Sequence, residues 1–306
     1  MVHDSATWPG GLPLAEWRDT HDTLHMWMQV VGKTRMAFAP AENHWWHVTL
    51  HLSARGLTTT PIPYGARTFE IEFDFVDHRL IVKTSDGRSR HLALRSQTVA
   101  HFYQEYLRVL GELGIGVKLW PVPVEVDRAI PFAEDHVHAS YEAAHARRFF
   151  EMLMQADRVT KRFRGRFLGK SSPVHFFWGA FDLALTRFSG RRAPEPKQPQ
   201  SPMMREAMSH EEISVGFWPG SGNVTEPAFY AYARPEPASL AGATIRPVAA
   251  YYSPELADFI LPYAAVHADP RPDDAVLDFY QSVYAAAADL AGWERVALDR
   301  PPSEWP

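Results

Sequence analysis

Phe69-Glu70-Ile71-Glu72-Phe73-Asp74-Phe75 alternates apolar and acidic residues without a break. Successive side chains of a strand point to opposite faces. This stretch therefore reads as a strand with Phe69, Ile71, Phe73 and Phe75 on a core and Glu70, Glu72 and Asp74 on the other face. Further on, Ser85-Asp86-Gly87 separates Leu80–Thr84 from His91–Leu94. Asp-Gly supplies the backbone angles of a tight hairpin turn, so the pairing here is antiparallel. Before this block, Leu14, Trp17, Leu24, Met28 and Val31 recur at helical spacing, with an expected end at Gly32-Lys33. After it, Val99–Gly114 reads as a second helix. Strands come in runs and do not alternate with helices, which defines an α+β class of antiparallel sheets with flanking helices.

The later part of the chain repeats this order. A helix over Tyr141–Phe163, capped at Ser140, precedes Gly169-Lys170, and the strand expected from Phe177 to Asp182 answers the one expected over Trp45–Leu50. Pro63-Tyr64-Gly65 precedes Phe69 as Trp218-Pro219-Gly220 precedes Phe229. Phe102-Tyr103-Gln104 in the first closing helix matches Phe279-Tyr280-Gln281 in the last, Val276–Gly292. The shared order points to an internal duplication, helix–strands–helix twice, packed about a pseudo-twofold. The halves are 1–125 and 126–306, one compact unit joined through Pro121–Pro131. Residues 191–208 carry four prolines and read as an exposed loop inserted between two strands, either plain or a lid.

With 306 residues, 46% hydrophobic and 22% charged, the chain is in the globular range. No apolar run is long enough for a membrane helix, and Met1–Gly10 lacks a signal-peptide core, so the expected location is cytoplasmic. The absence of cysteine excludes disulfides, thiolate metal sites and a cysteine nucleophile. A net charge of -5 argues against nucleic acid as a partner, despite the basic run Lys161-Arg162-Phe163-Arg164-Gly165-Arg166. Gly114-Ile115-Gly116 follows a helix and so fails the dinucleotide-binding context. Trp218–Gly222 is a turn that could form an anion nest.

Histidine carries the strongest chemical signal, with fifteen residues, and with cysteine absent it shares metal ligation with carboxylates. In Asn43-His44-Trp45-Trp46-His47-Val48-Thr49-Leu50-His51, a strand would set His47, Thr49 and His51 on one face. His47 and His51 would then stand roughly 13 Å apart, too far to share one metal. Paired with this segment, Glu70, Glu72 and Asp74 would lie across from histidines and Arg55. His21 and His25 share one side of the first helix, and either a metal pair or hydrogen-bonded core histidines fit that spacing. Asp182, in an aromatic run, needs a partner, for which Arg187, His175 or an arginine of the first half are candidates. A raised-pKa general acid and a structural ion pair both fit it.

Several strings together resemble a bacterial family of unknown function over nearly the whole chain. They are Asp22-Thr23-Leu24-His25, Asn43–His47, Ser53–Thr59, Pro61–Gly65, His175–Gly179, Phe181–Ala184, Thr186–Arg191 and Ser209-His210-Glu211. The resemblance implies a bacterial, full-length, single-unit protein and says nothing about a reaction. It favours residues inside the matching strings, among them His25, His44, His47, Arg55, His175, Asp182, Arg187, His210 and Glu211.

The resulting expectation is an enzyme acting on a small organic, anionic molecule in an aromatic, histidine-rich cleft. His44, His47, His175 and His210 would gather a divalent metal (zinc, iron or manganese) for hydrolysis or oxidation. Asp182 and Glu211 would serve as acid–base groups or ligands, with His25 a further ligand or a catalytic residue behind them. Arg55 and Arg187 would hold the anion, and Trp46 and Trp178 would line the cleft. The alternative is a non-catalytic ligand-binding or interaction protein, with a homodimer surface.

Overall fold

The computed structural model describes residues 8–195, 199–221 and 224–305. The first long helix, α1, runs Leu14–Phe38 and so passes through Gly32. Gly32 does not end it, because the glycine provides room: a methyl there would overlap the Trp178 ring. The end falls at Ala39, which precedes Pro40 and is extended, as a residue before proline prefers.

Residues Asn43–Val48, expected as a strand, form a tight 3-10 turn instead. His44 and Trp45 are both left-handed, with φ of 58° and 61°. Two consecutive residues of that hand reverse the chain, so no common face for His47, Thr49 and His51 exists. The first sheet follows with β1 (His51–Leu52), β2 (Gly56–Thr58), β3 (Ile62–Tyr64), β4 (Arg67–Asp74), β5 (Arg79–Thr84) and β6 (Ser89–Ala93). Its order is β1-β2-β4-β5-β6, antiparallel throughout, with β3 also on β4. The alternation of Phe69–Phe75 holds, with Phe69, Ile71, Phe73 and Phe75 fully buried. The acids on its other face meet Ser53, Thr58, Arg55 and Lys83, and not the expected histidines. Helix α2 (Val99–Glu112) closes this half, its first turn capped by Thr98.

Helix α3 (Ala143–Gly165) is capped by Glu142 and not by Ser140. The strand expected from Phe177 to Asp182 is in fact a hairpin: β7 (His175–Phe177) ends in a turn over 178–181, and β8 (Asp182–Arg192) begins at the acid. Phe181, at φ 61°, closes that turn. The Pro-rich stretch does lie between two strands, but β8 extends into it and α4 (Pro202–Ala207) sits within it. Its residues 196–198 lie outside the described residues, as does Gly222 of the Trp218–Gly222 turn. The rest is β9 (His210–Trp218), β10 (Ala228–Arg234), β11 (Tyr251–Ser253), β12 (Asp258–Pro262), α5 (Tyr263–Ala268), α6 (Pro272–Leu290) and α7 (Arg295–Leu298). The second sheet has the order β11-β12-β10-β9-β8-β7.

The α+β class of antiparallel sheets and flanking helices holds. The two sheets meet edge to edge. Leu50 and Phe176 exchange both backbone bonds, at 2.9 and 2.7 Å, next to β1 and within β7. One apolar cluster runs from Trp8 to Trp293 through both halves. No helix among the described residues is long and apolar enough to cross a membrane.

Candidate functional site

The site follows from period-two alternation in the second sheet. Leu183, Leu185, Ile213, Val215, Phe217, Phe229 and Ala231 are buried on the side that α3, α5 and α6 cover. Tyr263 of α5 stacks on Phe229, and Tyr280 of α6 donates its hydroxyl to the Gly216 carbonyl. Their neighbours in sequence must therefore point to the other face. That face carries Asp182 and Thr186 from β8, Glu212 and Ser214 from β9, Tyr230, Tyr232 and Arg234 from β10, and Asp258 from β12. Register sets Thr186, Ser214 and Tyr232 in one row and Glu212 opposite Arg234.

Gly216 makes the central contact geometrically available. It lies between Ala184 and Tyr230 in register, and a side chain there would overlap the Tyr230 ring and the Leu183 carbonyl. The Tyr230 ring thus crosses over β9 and its hydroxyl donates to Asp182 Oδ2 on β8. Beside this pair Thr186 Oγ1 and Ser214 Oγ are bonded at 2.6 Å. Arg234 donates to Asp258 Oδ1 at 3.1 Å.

Burial dominates the electrostatics of the face. It pushes the Asp182 carboxyl up to about 7 against the Tyr230 hydrogen bond, and repulsion from Glu125 adds to the rise. Burial also pushes Glu212 up to about 8 and Asp258 up to about 6, each opposed by the Arg234 charge. A protonated carboxyl both donates and accepts hydrogen bonds, so near neutral pH this face keeps the Glu212 proton and a share of the Asp182 proton where a surface sheet offers anions. Groups of this kind, in contrasting environments on one surface, are what proton-transfer sites are built from.

The residues singled out by sequence divide between this face and other places. Asp182 is at its centre, with Tyr230 as its side-chain partner in place of the arginine or histidine expected. Trp46, His44 and His210 gather at its flank, where the His44 ring stacks on Trp46 at 5.2 Å and lies 5.4 Å from that of His210. His175 is fully buried nearby. Its Nδ1 lies 3.3 Å from Thr49 Oγ1, its Nε2 has no partner among the described residues, and burial pulls its pKa down to about 3. His47 Nδ1 instead accepts from the Glu42 backbone N–H at 3.1 Å.

The four histidines are thus held by separate partners. Among the described residues no three histidine or acidic side chains are arranged to hold a metal ion.

The remaining candidates are committed elsewhere. His25 is enclosed on α1, its Nε2 2.9 Å from the Gly179 carbonyl oxygen, and burial pulls it down to about 4. Glu211 points away from Glu212 along β9 and accepts from Ser189 and Arg191. Arg55 belongs to the first sheet, held by Asp74 at 2.7 Å and Asp77 at 2.8 Å. Arg187 lies on the helix-covered face, 1% exposed, between the rings of Phe163, Tyr284 and Phe167 at 3.5, 4.4 and 4.9 Å. Trp178 packs on Gly32 and donates to the Val48 carbonyl at 2.6 Å. Tyr230, Tyr232, Glu212, Thr186, Ser214, Arg234 and Asp258 were not among the candidates. The alternation in Glu212-Ile213-Ser214-Val215-Gly216-Phe217 and Phe229-Tyr230-Ala231-Tyr232-Ala233-Arg234 was the signal that could have found those on β9 and β10.

These features define an α+β protein with helices on one face of a six-stranded sheet and buried acids and tyrosines on the other. The chain belongs to a family of unknown function, DUF5996, whose family model matches residues 8–300. No curated protein and no solved structure matches it.

Proposed function

We propose that this second face of the second sheet binds a small organic molecule and exchanges a proton with it, Asp182 being the acid and Tyr230 the residue that positions its carboxyl. The observation that carries the reading is the Asp182 environment. The carboxyl is buried on a strand, and its side-chain partner is a neutral hydroxyl and not a cation. A structural ion pair needs a cation at that place, and none bonds Asp182 among the described residues. A proton held to about pH 7 suits a general acid, because transfer is most effective when the acid's pKa lies near the working pH. Thr186, Ser214 and Tyr232 supply neutral hydroxyls along the same face for orienting a polar ligand.

The test is a thermal-shift screen of small carbonyl, amide and carboxylic compounds against the wild type, Asp182→Asn and Tyr230→Phe. A ligand at one hundred times its Kd stabilises the native state by about 2.7 kcal/mol. Ligands of this face stabilise the wild type and lose that effect in Asp182→Asn. A set of ligands that stabilise all three chains equally would place binding elsewhere and overturn the reading.

A further inference from the structure

At one flank of the same face, a lysine ammonium lies over two aromatic rings. Lys170 Nζ lies 5.7 Å from the centre of the Trp46 ring and 5.5 Å from that of Phe188. The His44 ring stacks on Trp46 at 5.2 Å and lies tilted against Phe188 at 4.5 Å. His44 Nδ1 lies 2.9 Å from the Ala207 carbonyl oxygen, which fixes its N–H there and leaves Nε2 as an acceptor, 3.5 Å from Lys170 Nζ. His210 stands beside it and pairs in register with Arg192. Two left-handed residues in succession, His44 and Trp45, turn this ring onto the sheet. Such backbone costs about 1–3 kcal/mol per residue and is found where a side chain must be aimed.

The charge here is unbalanced. Arg55 is taken by Asp74 and Asp77, and Arg191 by Glu211. Among the described residues Lys170 and Arg192 make no ion pair, and Glu206 is the acid that acts on His44. The long contact to His44 Nε2 leaves two of the ammonium's three protons for another acceptor.

We infer that Lys170, Arg192, His44 and His210, over the rings of Trp46 and Phe188, form a subsite for a carboxylate carried on a flat, aromatic body. The exposed ammonium and the guanidinium bind the anion through charge-assisted hydrogen bonds, and the indole edge receives the ring. The anion-holding role expected of Arg55 and Arg187 thus moves to cations that have no acid of their own. The subsite stands whether or not Asp182 transfers a proton.

The test is a titration of the protein, labelled with 15N in its histidine side chains, against three probes. They are benzoate, benzamide (the same ring without charge) and inorganic phosphate (charge without a ring). Benzoate is expected to move the His44 and His210 signals saturably, with benzamide and phosphate at least about ten-fold weaker. Lys170→Gln, at an exposed position, weakens benzoate by about ten-fold or more, since a charge-assisted bond is lost. Arg55→Gln leaves the titration unchanged. Equal binding of benzamide or phosphate, an unchanged affinity in Lys170→Gln, or no saturable shift with benzoate would each overturn the inference.

Discussion

Asp182→Asn turns the buried acid into a measurement of stability against pH. In the unfolded chain an aspartate releases its proton near 3.8, whereas the folded protein holds the Asp182 proton to about 7. Between those values the native state carries one proton that the unfolded state has lost. Stability therefore falls as pH rises, by about 1.4 kcal/mol per pH unit for this group. The loss accumulates to an amount on the order of 4 kcal/mol near neutrality and grows no further once the native carboxyl ionises too. Asparagine has no proton to lose, and its amide oxygen can still accept the Tyr230 hydroxyl. The two proteins should thus be of similar stability below the unfolded pKa, with the variant gaining steadily up to about pH 7 and holding its advantage above it. Glu212 and Asp258, raised to about 8 and about 6, give both chains a falling curve, and subtraction leaves position 182 together with its repulsion from Asp258. Urea unfolding followed by tryptophan fluorescence at a series of pH values supplies the two curves. A difference that stays flat between about pH 4 and pH 8, or that favours the wild type as pH rises, would refute the burial argument for Asp182.

Three further outcomes follow from the packing. Gly216→Ala lifts the Tyr230 ring from β9, so it should cost about 1–3 kcal/mol and weaken any ligand whose stabilisation depends on Asp182. Denaturation and the thermal-shift panel read both effects, and an unchanged protein would mean that Tyr230 does not lie across that glycine. Gly32→Ala overlaps the Trp178 ring and should destabilise by a similar amount, despite alanine's better helix propensity, whereas a gain in melting temperature would contradict the close approach. Arg187→Met should leave stability unchanged or raise it by about 1–4 kcal/mol. Two guanidinium nitrogens, Nε and Nη1, are buried without partners among the described residues, and burial already pulls the group down to about 9. A loss above about 3 kcal/mol would show instead that the aromatic box depends on the charge.

What could be read in the sequence was what local pattern alone decides. Phe69–Phe75 alternates, Asp86-Gly87 turns, and the apolar stripes of α1, α2, α3 and α6 repeat at helical spacing, because each fixes which face meets a core within a few residues. The Asn43–Val48 turn was hidden because its tryptophans and valine favour strands, whereas contacts distant in sequence, His44 with Ala207 and Phe188 and Arg35 with the His47 carbonyl, hold the reversed backbone. The hairpin over 178–181 was hidden by the same aromatic run. Gly32 had the look of a helix end because the ring that needs its space, Trp178, is far away in sequence. Asp182 was legible as an acid needing a partner, but Tyr230 was not legible as that partner, since the contact spans an intervening strand and needs Gly216 beneath it.

The candidate site also depends on the join between the sheets. The second sheet supplies the acids and tyrosines, but His44 and Trp46 come from the turn before β1, and Glu125, whose charge acts on Asp182, comes from the connector. The reciprocal bonds of Leu50 and Phe176 hold that turn against the edge of β7 and β8, and Gln29 of α1 clamps the connector at both the Val124 N–H and carbonyl. Each half could bury apolar surface of its own, yet only their union sets a histidine–tryptophan flank beside an acid–tyrosine centre. The helices cover one face of the second sheet, and the turn that carries His44 and Trp46 packs on Phe188 at the edge of the other. Burial there makes Asp182 and Glu212 hold their protons, while Tyr232 and Asp258 stay half-buried, and it is at these two that the proposed ligand would have to meet the face.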